Sequence, residues 1–399
     1  MVEIKEFDHF GRGITKYNNK IVFIENAIPN ETIEIKNVKQ YKKYDEADVL
    51  KYIKKSKDRV NPSCPYYDKC GGCNIMHITY SKQLEFKQKK IEDIFKKYFK
   101  SEVYINKIVK CDYQYNYRNK ITFQVNNDIG FFEKKSNSLI NIDYCYICNE
   151  KINNSINYIK KLNLTKIKKI VCRANNNKLM IIIETDYPDI DIDILKQIAD
   201  SIYIKKDNKY IHKYGTKNII ENIGSYKYLI SPDSFFQVNT NVTKKLYDKI
   251  KSIVGTNMNI IDLYCGTGTI GIYVSDHNKV TGIEINKYAH SDALKNKEIN
   301  NINNINFICG DSGKELLNVN FKPDIIIIDP PRNGLNKDTL NKIINIRPNI
   351  LIYVSCEPMT LVRDLKILNN EYDIEEVTPY DMFPNTYHVE TLTVLKKKH

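Results

Sequence analysis

The chain of 399 residues is long enough for two or three domains, and 42% of its residues are hydrophobic, which is sufficient for large buried cores. Its formal net charge of +13 favours a polyanionic partner, although the lysines are spread along the whole chain. No stretch approaches 18 uninterrupted apolar residues, so we expect neither a signal peptide nor a membrane span. In the cytoplasmic protein that this predicts, structural disulfides would not explain the ten cysteines.

Residues 1–57 have the pattern of a small β-domain. Three short apolar alternations, at 21–24, 32–36 and 48–53, are separated by glycine, asparagine and proline turn signals. A five-stranded barrel of the oligonucleotide-binding type fits this pattern, and a generic small β-domain is the alternative.

Three cysteines, Cys64, Cys70 and Cys73, lie within ten residues beside a Gly-Gly pair. Thiolates at this spacing are typical of a zinc or an iron–sulfur site. A fourth ligand is missing locally, and either Cys145 or Cys148 could supply it. These cysteines therefore predict a metal centre in the central part of the chain.

Residues 58–235 are predicted to form a central α+β domain. A lysine-rich helix is expected over 80–98, and apolar strands are expected over 120–125 and 179–185. A second helix is predicted over 192–202.

Residues 236–399 alternate between helix-length segments and apolar strands, which predicts a doubly wound α/β domain with a Rossmann-like sheet. The predicted strands are 258–264, 280–285, 305–308, 324–329, 350–355 and 389–395.

The first of these strands leads into a glycine turn and a helix, as in nucleotide-binding α/β domains. Gly266 and Gly268 let the backbone approach a ligand, and Glu284, at the end of the next strand, can accept hydrogen bonds from ribose hydroxyls. An acid on the first strand, Asp262, suits the cationic amino group of S-adenosylmethionine, which has no pyrophosphate. We therefore favour S-adenosylmethionine, with a nicotinamide cofactor as the alternative.

Two later strand ends indicate the chemistry. Asp329 is followed by Pro-Pro-Arg, whereas methyltransferases acting on exocyclic amines favour Asn-Pro-Pro-aromatic. This difference argues against methylation of an exocyclic amine.

Cys356 ends the fifth strand and could add to carbon 6 of uracil, which would make carbon 5 nucleophilic towards a methylsulfonium. A base must then remove the proton at carbon 5. Glu390 is the candidate base, and His388 is its competitor.

Taken together, these motifs resemble the RNA uracil-5-methyltransferase family, which forms 5-methyluridine in ribosomal and transfer RNA. The resemblance covers nearly the whole chain. It implies that the segments at 8–13 and 27–31 belong to a TRAM domain, a small RNA-binding barrel. It also implies a [4Fe-4S] cluster, which would be held by Cys64, Cys70, Cys73 and Cys145.

The resemblance further assigns individual residues. The motifs at 117–120 and 234–239 match the family, and the cofactor contacts implied are Gln237, Tyr264, Glu284, Asp311 and Asp329. Cys356 matches the nucleophile and Glu390 the base. Two motifs depart from the family: Ser-Cys-Glu-Pro at 355–358 replaces Ser-Cys-Asn-Pro, and Phe-Pro-Asn-Thr at 383–386 replaces Phe-Pro-Gln-Thr.

The sequence thus predicts a monomeric enzyme with a barrel, a central α+β domain and a class I methyltransferase domain. We expect it to methylate carbon 5 of a uridine in RNA, through a covalent cysteine adduct, with 23S ribosomal RNA favoured over transfer RNA. The alternatives are methylation of an exocyclic amine or another base carbon, and a non-enzymatic iron–sulfur RNA-binding protein.

Overall fold

The computed structural model describes residues 1–99, 102–175 and 177–399. The N-terminal unit is a barrel whose six strands are β1 (Val2–Glu3), β2 (Glu6–Phe7), β3 (Gly13–Tyr17), β4 (Lys20–Ile24), β5 (Thr32–Gln40) and β6 (Tyr44–Lys54).

The N-terminal segment closes this barrel. The sheet order β1-β5-β6-β4-β3-β2 places β1 and β2 at opposite ends of the sheet, although they are adjacent in the chain. Between them, Ile4 N donates to Glu31 O and Lys5 N donates to Ile14 O, both at 2.9 Å. β1 and β2 therefore act as two halves of one interrupted strand. Counted in this way, the barrel has five strands, the number predicted from the sequence.

A long helix, α1 (Tyr80–Tyr98), follows the cysteine-rich loop, as predicted. Its apolar face is buried, and two polar side chains on that face, Gln83 and Lys87, are buried as well. The helix packs against the C-terminal unit, so its buried polar groups meet residues from the far end of the chain.

The central unit contains a seven-stranded sheet of order β13-β12-β11-β10-β7-β8-β9, a hairpin β14–β15 and one helix. Its elements are β7 (Lys120–Val125), β8 (Ile129–Phe132), β9 (Leu139–Asn141), α2 (Glu150–Ile159), β10 (Lys169–Ala174), β11 (Leu179–Glu184), β12 (Ser201–Lys206), β13 (Lys209–Gly215), β14 (Ile219–Ile223) and β15 (Tyr226–Ile230).

The helix predicted over 192–202 is wrong. Only a short 3-10 turn forms, at Asp193–Gln197, and the chain then enters β12. Ile202 and Ile204 pair in parallel register with β11 and are completely buried. Pairing with a buried strand outweighs the local helical pattern here.

The C-terminal unit is a doubly wound α/β sheet. Its elements are α3 (Thr240–Val254), β16 (Asn259–Leu263), α4 (Thr269–Tyr273), β17 (Lys279–Glu284), α5 (Lys287–Ile299), β18 (Ile305–Cys309), α6 (Ser312–Glu315), β19 (Ile325–Ile328), α7 (Lys337–Ile346), β20 (Ile350–Ser355), α8 (Pro358–Leu368), β21 (Tyr372–Tyr380) and β22 (Glu390–Lys397).

The strand order of this sheet is β18-β17-β16-β19-β20-β22-β21, with β22 antiparallel to both of its neighbours. Strand β21 had not been predicted. The order reverses between β16 and β19, and open α/β sheets bind ligands beside such a reversal, at the carboxyl ends of the strands. The fold therefore points to the edge that carries the residues singled out in the sequence.

The central and C-terminal units share a hydrophobic core, in which Met180 and Tyr203 pack in one cluster with Tyr247 and Ile270. The domain boundaries at 57 and 235 stay a prediction. None of the helices in the described part of the chain is both long enough and apolar enough to cross a membrane.

Candidate active site

Five polar residues lie at the carboxyl ends of the five parallel strands. Each is the last residue of its strand or follows it within two residues. The five are Tyr264, Glu284, Asp311, Asp329 and Cys356. All five were singled out in the sequence, and the structure brings them to one edge of the sheet.

The turn after β16 is built to approach a ligand closely. Tyr264, Gly266 and Gly268 all have positive φ, at 61°, 56° and 76°. A Cβ added at Gly266 would meet only open space, so the backbone is exposed there. Gly266 N donates to Glu284 Oε2 at 2.9 Å, which fixes the carboxylate beside the turn. This carboxylate keeps lone pairs with which it can accept hydrogen bonds from ribose hydroxyls.

Three acids share the interior of this site. Burial, followed by the proximity of Asp329 and Glu284, raises the pKa of Asp262 to about 8. Desolvation raises the pKa of Asp329 to about 7. Asp262 Oδ2 accepts a hydrogen bond from Gly271 N at 2.9 Å, while its Oδ1 is buried without a hydrogen-bond partner. Ionising several carboxyl groups in one apolar site is unfavourable unless a cation is present, so the donor set fits a cationic ligand.

Cys356 and Glu390 face each other across the β20–β22 pair. Ser355 is paired with Thr391 in antiparallel register, and the next step places Cys356 opposite Glu390. Glu390 also contributes to the raised pKa of the Cys356 thiol, so the two groups are near each other. A thiol and a carboxyl group therefore meet beside the end of β19, where Asp329 lies.

The surroundings of Cys356 favour the neutral thiol over the thiolate. Burial, with further contributions from Glu390 and Asp329, raises its pKa to about 12. Arg332 acts in the opposite direction, because its positive charge favours the thiolate. Sequence reasoning missed Arg332 as part of the site, and its position directly after the Asp-Pro-Pro motif was the available signal.

The two candidate bases differ in their environments. Burial and Asp329 raise the pKa of Glu390 well above its usual range, which makes this carboxylate a stronger base. Desolvation and the nearby Arg332, Lys90, Lys87 and Arg118 lower the pKa of His388 to about 4. The pKa values of the two candidates are thus shifted in opposite directions, and the choice of Glu390 stays a prediction.

Glu357 is directed away from the thiol. Its Oε1 accepts a hydrogen bond from Met359 N at 3.3 Å and so caps the N-terminus of α8. It is not among the groups that shift the pKa of Cys356. The unusual acid beside the nucleophile is thus occupied with the helix terminus.

The family-like motifs at 117–120 and 234–239 hold each other in place. Asn119 Nδ2 donates to Gln237 O, and Asn119 N donates to Val238 O, each at 3.0 Å. Asn239 caps α3 and also donates to Met382 O at 3.1 Å. Asn119 therefore fixes the backbone that carries the buried Gln237.

Residues 381–388, which we call the catalytic loop, lead from β21 to Glu390 and rest on α1. Lys87 Nζ donates to Asp381 Oδ1 at 2.5 Å and to Phe383 O at 2.9 Å. Gln83 Nε2 donates to Asn385 Oδ1 at 3.1 Å, and Asn385 N donates back to Gln83 Oε1 at 2.9 Å. The conformation of Asn385, with φ at 67°, is one that asparagine tolerates better than most residues.

The four cysteines implied as cluster ligands come together. Cys64, Cys70, Cys73 and Cys145 line one cavity of about 390 Å³, whereas Cys148 is completely buried and does not line it. All ten cysteines are free thiols. In residues 1–99, 102–175 and 177–399, however, no three His, Cys, Asp or Glu side chains are grouped so that they could hold a metal ion.

The fold and the residues at the strand ends define a Rossmann-like methyltransferase. Residues 172–398 match the family model described as tRNA (uracil-5-)-methyltransferase. An uncharacterized RNA methyltransferase of Clostridium acetobutylicum is 34% identical, over 99% of this chain and 96% of that protein. An uncharacterized RNA methyltransferase of Halalkalibacterium halodurans is 32% identical, over 100% of this chain and 97% of that protein.

A solved structure is similar over the same extent. The Pyrococcus abyssi tRNA (uracil-54, C5)-methyltransferase, in complex with S-adenosyl-L-homocysteine, has a TM-score of 0.80 and is 29% identical, covering 99% of this chain and 100% of that chain. The chain belongs to the tRNA (uracil-5-)-methyltransferase family and is an RNA methyltransferase. The family predicted from the motifs is confirmed.

Proposed function

We propose that the protein methylates carbon 5 of a uridine in RNA, with S-adenosylmethionine as the methyl donor and Cys356 as a covalent catalyst. The observation that carries the proposal is the position of Cys356 opposite Glu390, next to Asp329. The similarity to a protein that binds S-adenosyl-L-homocysteine supports the choice of donor. Gln237, Tyr264, Glu284, Asp311 and Asp329 would surround the donor, which supplies an electrophilic methyl group.

The reaction places specific demands on the two facing residues. The Cys356 thiolate adds to carbon 6 of uracil, and the electrons of the carbon 5–carbon 6 double bond move to carbon 5. Carbon 5 then takes the methyl group as the methyl–sulfur bond of the donor breaks and S-adenosylhomocysteine leaves. Glu390 removes the proton from carbon 5, the double bond re-forms, and the carbon 6–sulfur bond breaks to release the thiolate. Once ionised, Glu390 would hold the proton from carbon 5 more tightly than an exposed glutamate would, because burial raises its pKa.

Release of tritium from RNA that contains [5-³H]uridine tests the proposal, because methylation at carbon 5 must expel that hydrogen. We expect the native protein to release tritium in the presence of S-adenosylmethionine, and Cys356→Ala to release none while still binding RNA. Cys309→Ala, which changes an exposed cysteine, is the matched control. Methylation of RNA without tritium release would show that another atom is the target.

We propose ribosomal RNA as the substrate class, because the barrel and the four-cysteine set resemble members that modify it. The Pyrococcus abyssi enzyme acts on transfer RNA, so transfer RNA is the second candidate. Ribosomal and transfer RNA from cells that lack the gene would be treated separately with the protein, and 5-methyluridine would be measured by mass spectrometry. Methylation confined to the transfer RNA fraction would overturn the first choice.

We also propose that Cys64, Cys70, Cys73 and Cys145 hold a [4Fe-4S] cluster. What supports this is that all four thiols line one cavity. A single zinc ion requires sulfur atoms about 4 Å apart, since each lies about 2.3 Å from the metal. In a [4Fe-4S] cluster each cysteine binds a different iron atom, so the four sulfur atoms lie further apart than they would around one zinc ion. Such a cluster would fix the loop around Gly71 beside the catalytic loop.

A further inference from the structure

Three tyrosines from two loops form a partly exposed patch beside the catalytic loop. The rings of Tyr115 and Tyr146 are 6.3 Å apart at 70°, and those of Tyr144 and Tyr146 are 5.0 Å apart at 75°. Tyr115 and Tyr144 are 38% and 37% exposed. We call these three residues the tyrosine patch. Because the rings meet edge to face, ring faces stay available for another planar group.

The two loops are joined firmly, so the patch is pre-formed. Asn116 N donates to Tyr146 O at 2.9 Å, and Arg118 N donates to Ile147 O at 2.8 Å. Tyr144 OH donates to Asn116 Oδ1 at 3.4 Å. Rigid aromatic rings lose little conformational entropy when a ligand stacks on them.

Positive charge lies next to the patch. Arg118 donates a side-chain hydrogen bond from Nε to Lys120 O at 3.1 Å. Within the described residues, no carboxylate forms an ion pair with Arg118 or Arg332. Burial, Arg173 and Arg118 lower the pKa of Lys120 to about 8. Aromatic rings beside uncompensated guanidinium groups are the composition of sites for single-stranded nucleic acid.

Two tyrosines of the patch and part of the catalytic loop line one cavity. Tyr144, Tyr146 and Arg118 line the same space of about 390 Å³ as Arg332 and His388. Arg332, whose charge lowers the pKa of Cys356, therefore shares a cavity with two rings of the patch. The four cysteines line this cavity too, so a cluster would fill part of it and a nucleotide would lie in the remainder.

We propose that the tyrosine patch stacks an unpaired base that is a direct neighbour of the target uridine, with Arg118 bound to the phosphate between the two nucleotides. This inference rests on the proposed RNA substrate. It adds that the enzyme requires a flanking nucleotide in single-stranded form, and that the identity of this base matters little, because every base has a face that can stack.

Tryptophan fluorescence offers a direct test, because the chain has no tryptophan. Tyr144→Trp would place a single reporter in the patch, and Tyr187→Trp would place one at another exposed position of the central unit. On titration with a substrate stem-loop, the emission of Tyr144→Trp should be quenched and that of Tyr187→Trp should not. Equal responses of the two reporters to bound RNA would overturn the proposal.

Binding measurements add a second test. Tyr115→Ala and Tyr144→Ala should each raise the Kd for RNA about 10-fold, whereas Tyr144→Phe and Tyr187→Ala should not change it. An RNA that is abasic at the flanking position should bind about 10-fold more weakly to the native protein and no more weakly to Tyr144→Ala. If both alanine variants bind RNA with unchanged affinity, the proposal that a base stacks on the tyrosine patch is refuted.

Two controls distinguish base stacking on the tyrosine patch from the proposed cluster and from the proposed methylation. The iron content of Tyr144→Ala and of Tyr115→Ala should equal that of the native protein. Both variants need this control, because Tyr144 precedes Cys145 in the chain and Tyr115 OH lies 3.3 Å from Ser63 Oγ, next to Cys64. RNA affinity is measured without turnover. A native protein that binds RNA through the patch but releases no tritium would contradict the proposed reaction and leave the stacking site intact.

Discussion

The Lys87 ammonium and the Asp381 carboxylate form an ion pair in which both side chains are completely buried, with 2.5 Å between Nζ and Oδ1. The pair joins α1 to the start of the catalytic loop. Tyr80 OH donates to the other oxygen of Asp381 at 2.8 Å, so the carboxylate is well satisfied. The loop that ends at Glu390 is thus held by side chains from a different part of the chain.

Replacing one partner of this ion pair should destabilise the folded protein. We expect Lys87→Met to lower the free energy of unfolding by about 3–5 kcal/mol, because Asp381 is left as a buried, uncompensated charge. Urea denaturation would measure the change, and adding Asp381→Asn should recover part of it. Lys89→Met breaks an exposed pair with Asp93 on the same helix and should cost about 0.5 kcal/mol or less. Equal effects at positions 87 and 89 would contradict this account.

Replacement of the proposed base should trap the reaction midway. We expect Glu390→Gln to form the Cys356 adduct and methylate carbon 5, but to fail to remove the proton, so that a protein–RNA complex survives denaturing electrophoresis. His388→Asn should not accumulate this complex, since the pKa of His388, near 4, makes its ring a weak base. If neither variant traps RNA while turnover is lost, Glu390 has another role.

A cationic donor should activate the thiol. The pKa of Cys356, about 12 in the ligand-free protein, should fall by about one to three units when a positive charge binds beside it. Alkylation by iodoacetamide at pH 8 should therefore become about 10-fold faster with sinefungin, which carries an amine cation, than with neutral S-adenosylhomocysteine. Cys356→Ala provides the background rate. Equal acceleration by both ligands would indicate a conformational effect instead of an electrostatic one.

The ligand-free protein should lose stability as the pH rises. Desolvation raises the pKa of Asp329 to about 7, above the value near 4 of an unfolded chain, so the native state holds this proton more tightly. The contribution is fully present below about pH 4 and is lost as the pH rises through about 7. Chemical denaturation at several pH values would measure the slope, which Asp329→Asn should flatten. Asp193→Asn, at an exposed site, should leave it unchanged.

The two candidate fourth ligands can be separated by composition. Cys145→Ser should reduce the iron and acid-labile sulfide of anaerobically purified protein by more than half, whereas Cys148→Ser should retain both. Cys145 lines the cavity of the other three thiols, and Cys148 is buried and does not line it. Native protein with neither iron nor sulfide would refute the cluster itself.

The sequence was most informative where a feature is encoded locally. Helix α1 and the strands around the Gly266 turn follow from periodicity and turn residues, and the strand ends define one edge of the sheet. Contacts between distant segments left no such signal. Asn119 is 118 residues from Gln237, and Gln83 is 302 residues from Asn385, so neither partnership could be inferred from spacing. The helix expected over 192–202 failed because pairing with β11, a tertiary effect, decides its conformation.

The Lys87–Asp381 pair also has a consequence for biosynthesis. Its partners are 294 residues apart, and the second follows β21. Until the ribosome has made Asp381, the Lys87 side chain on α1 has no carboxylate to pair with, and the face of α1 that packs against the C-terminal unit stays hydrated. The catalytic loop can therefore take its final shape only after α1 and the chain through Asp381 have both been made and have come together.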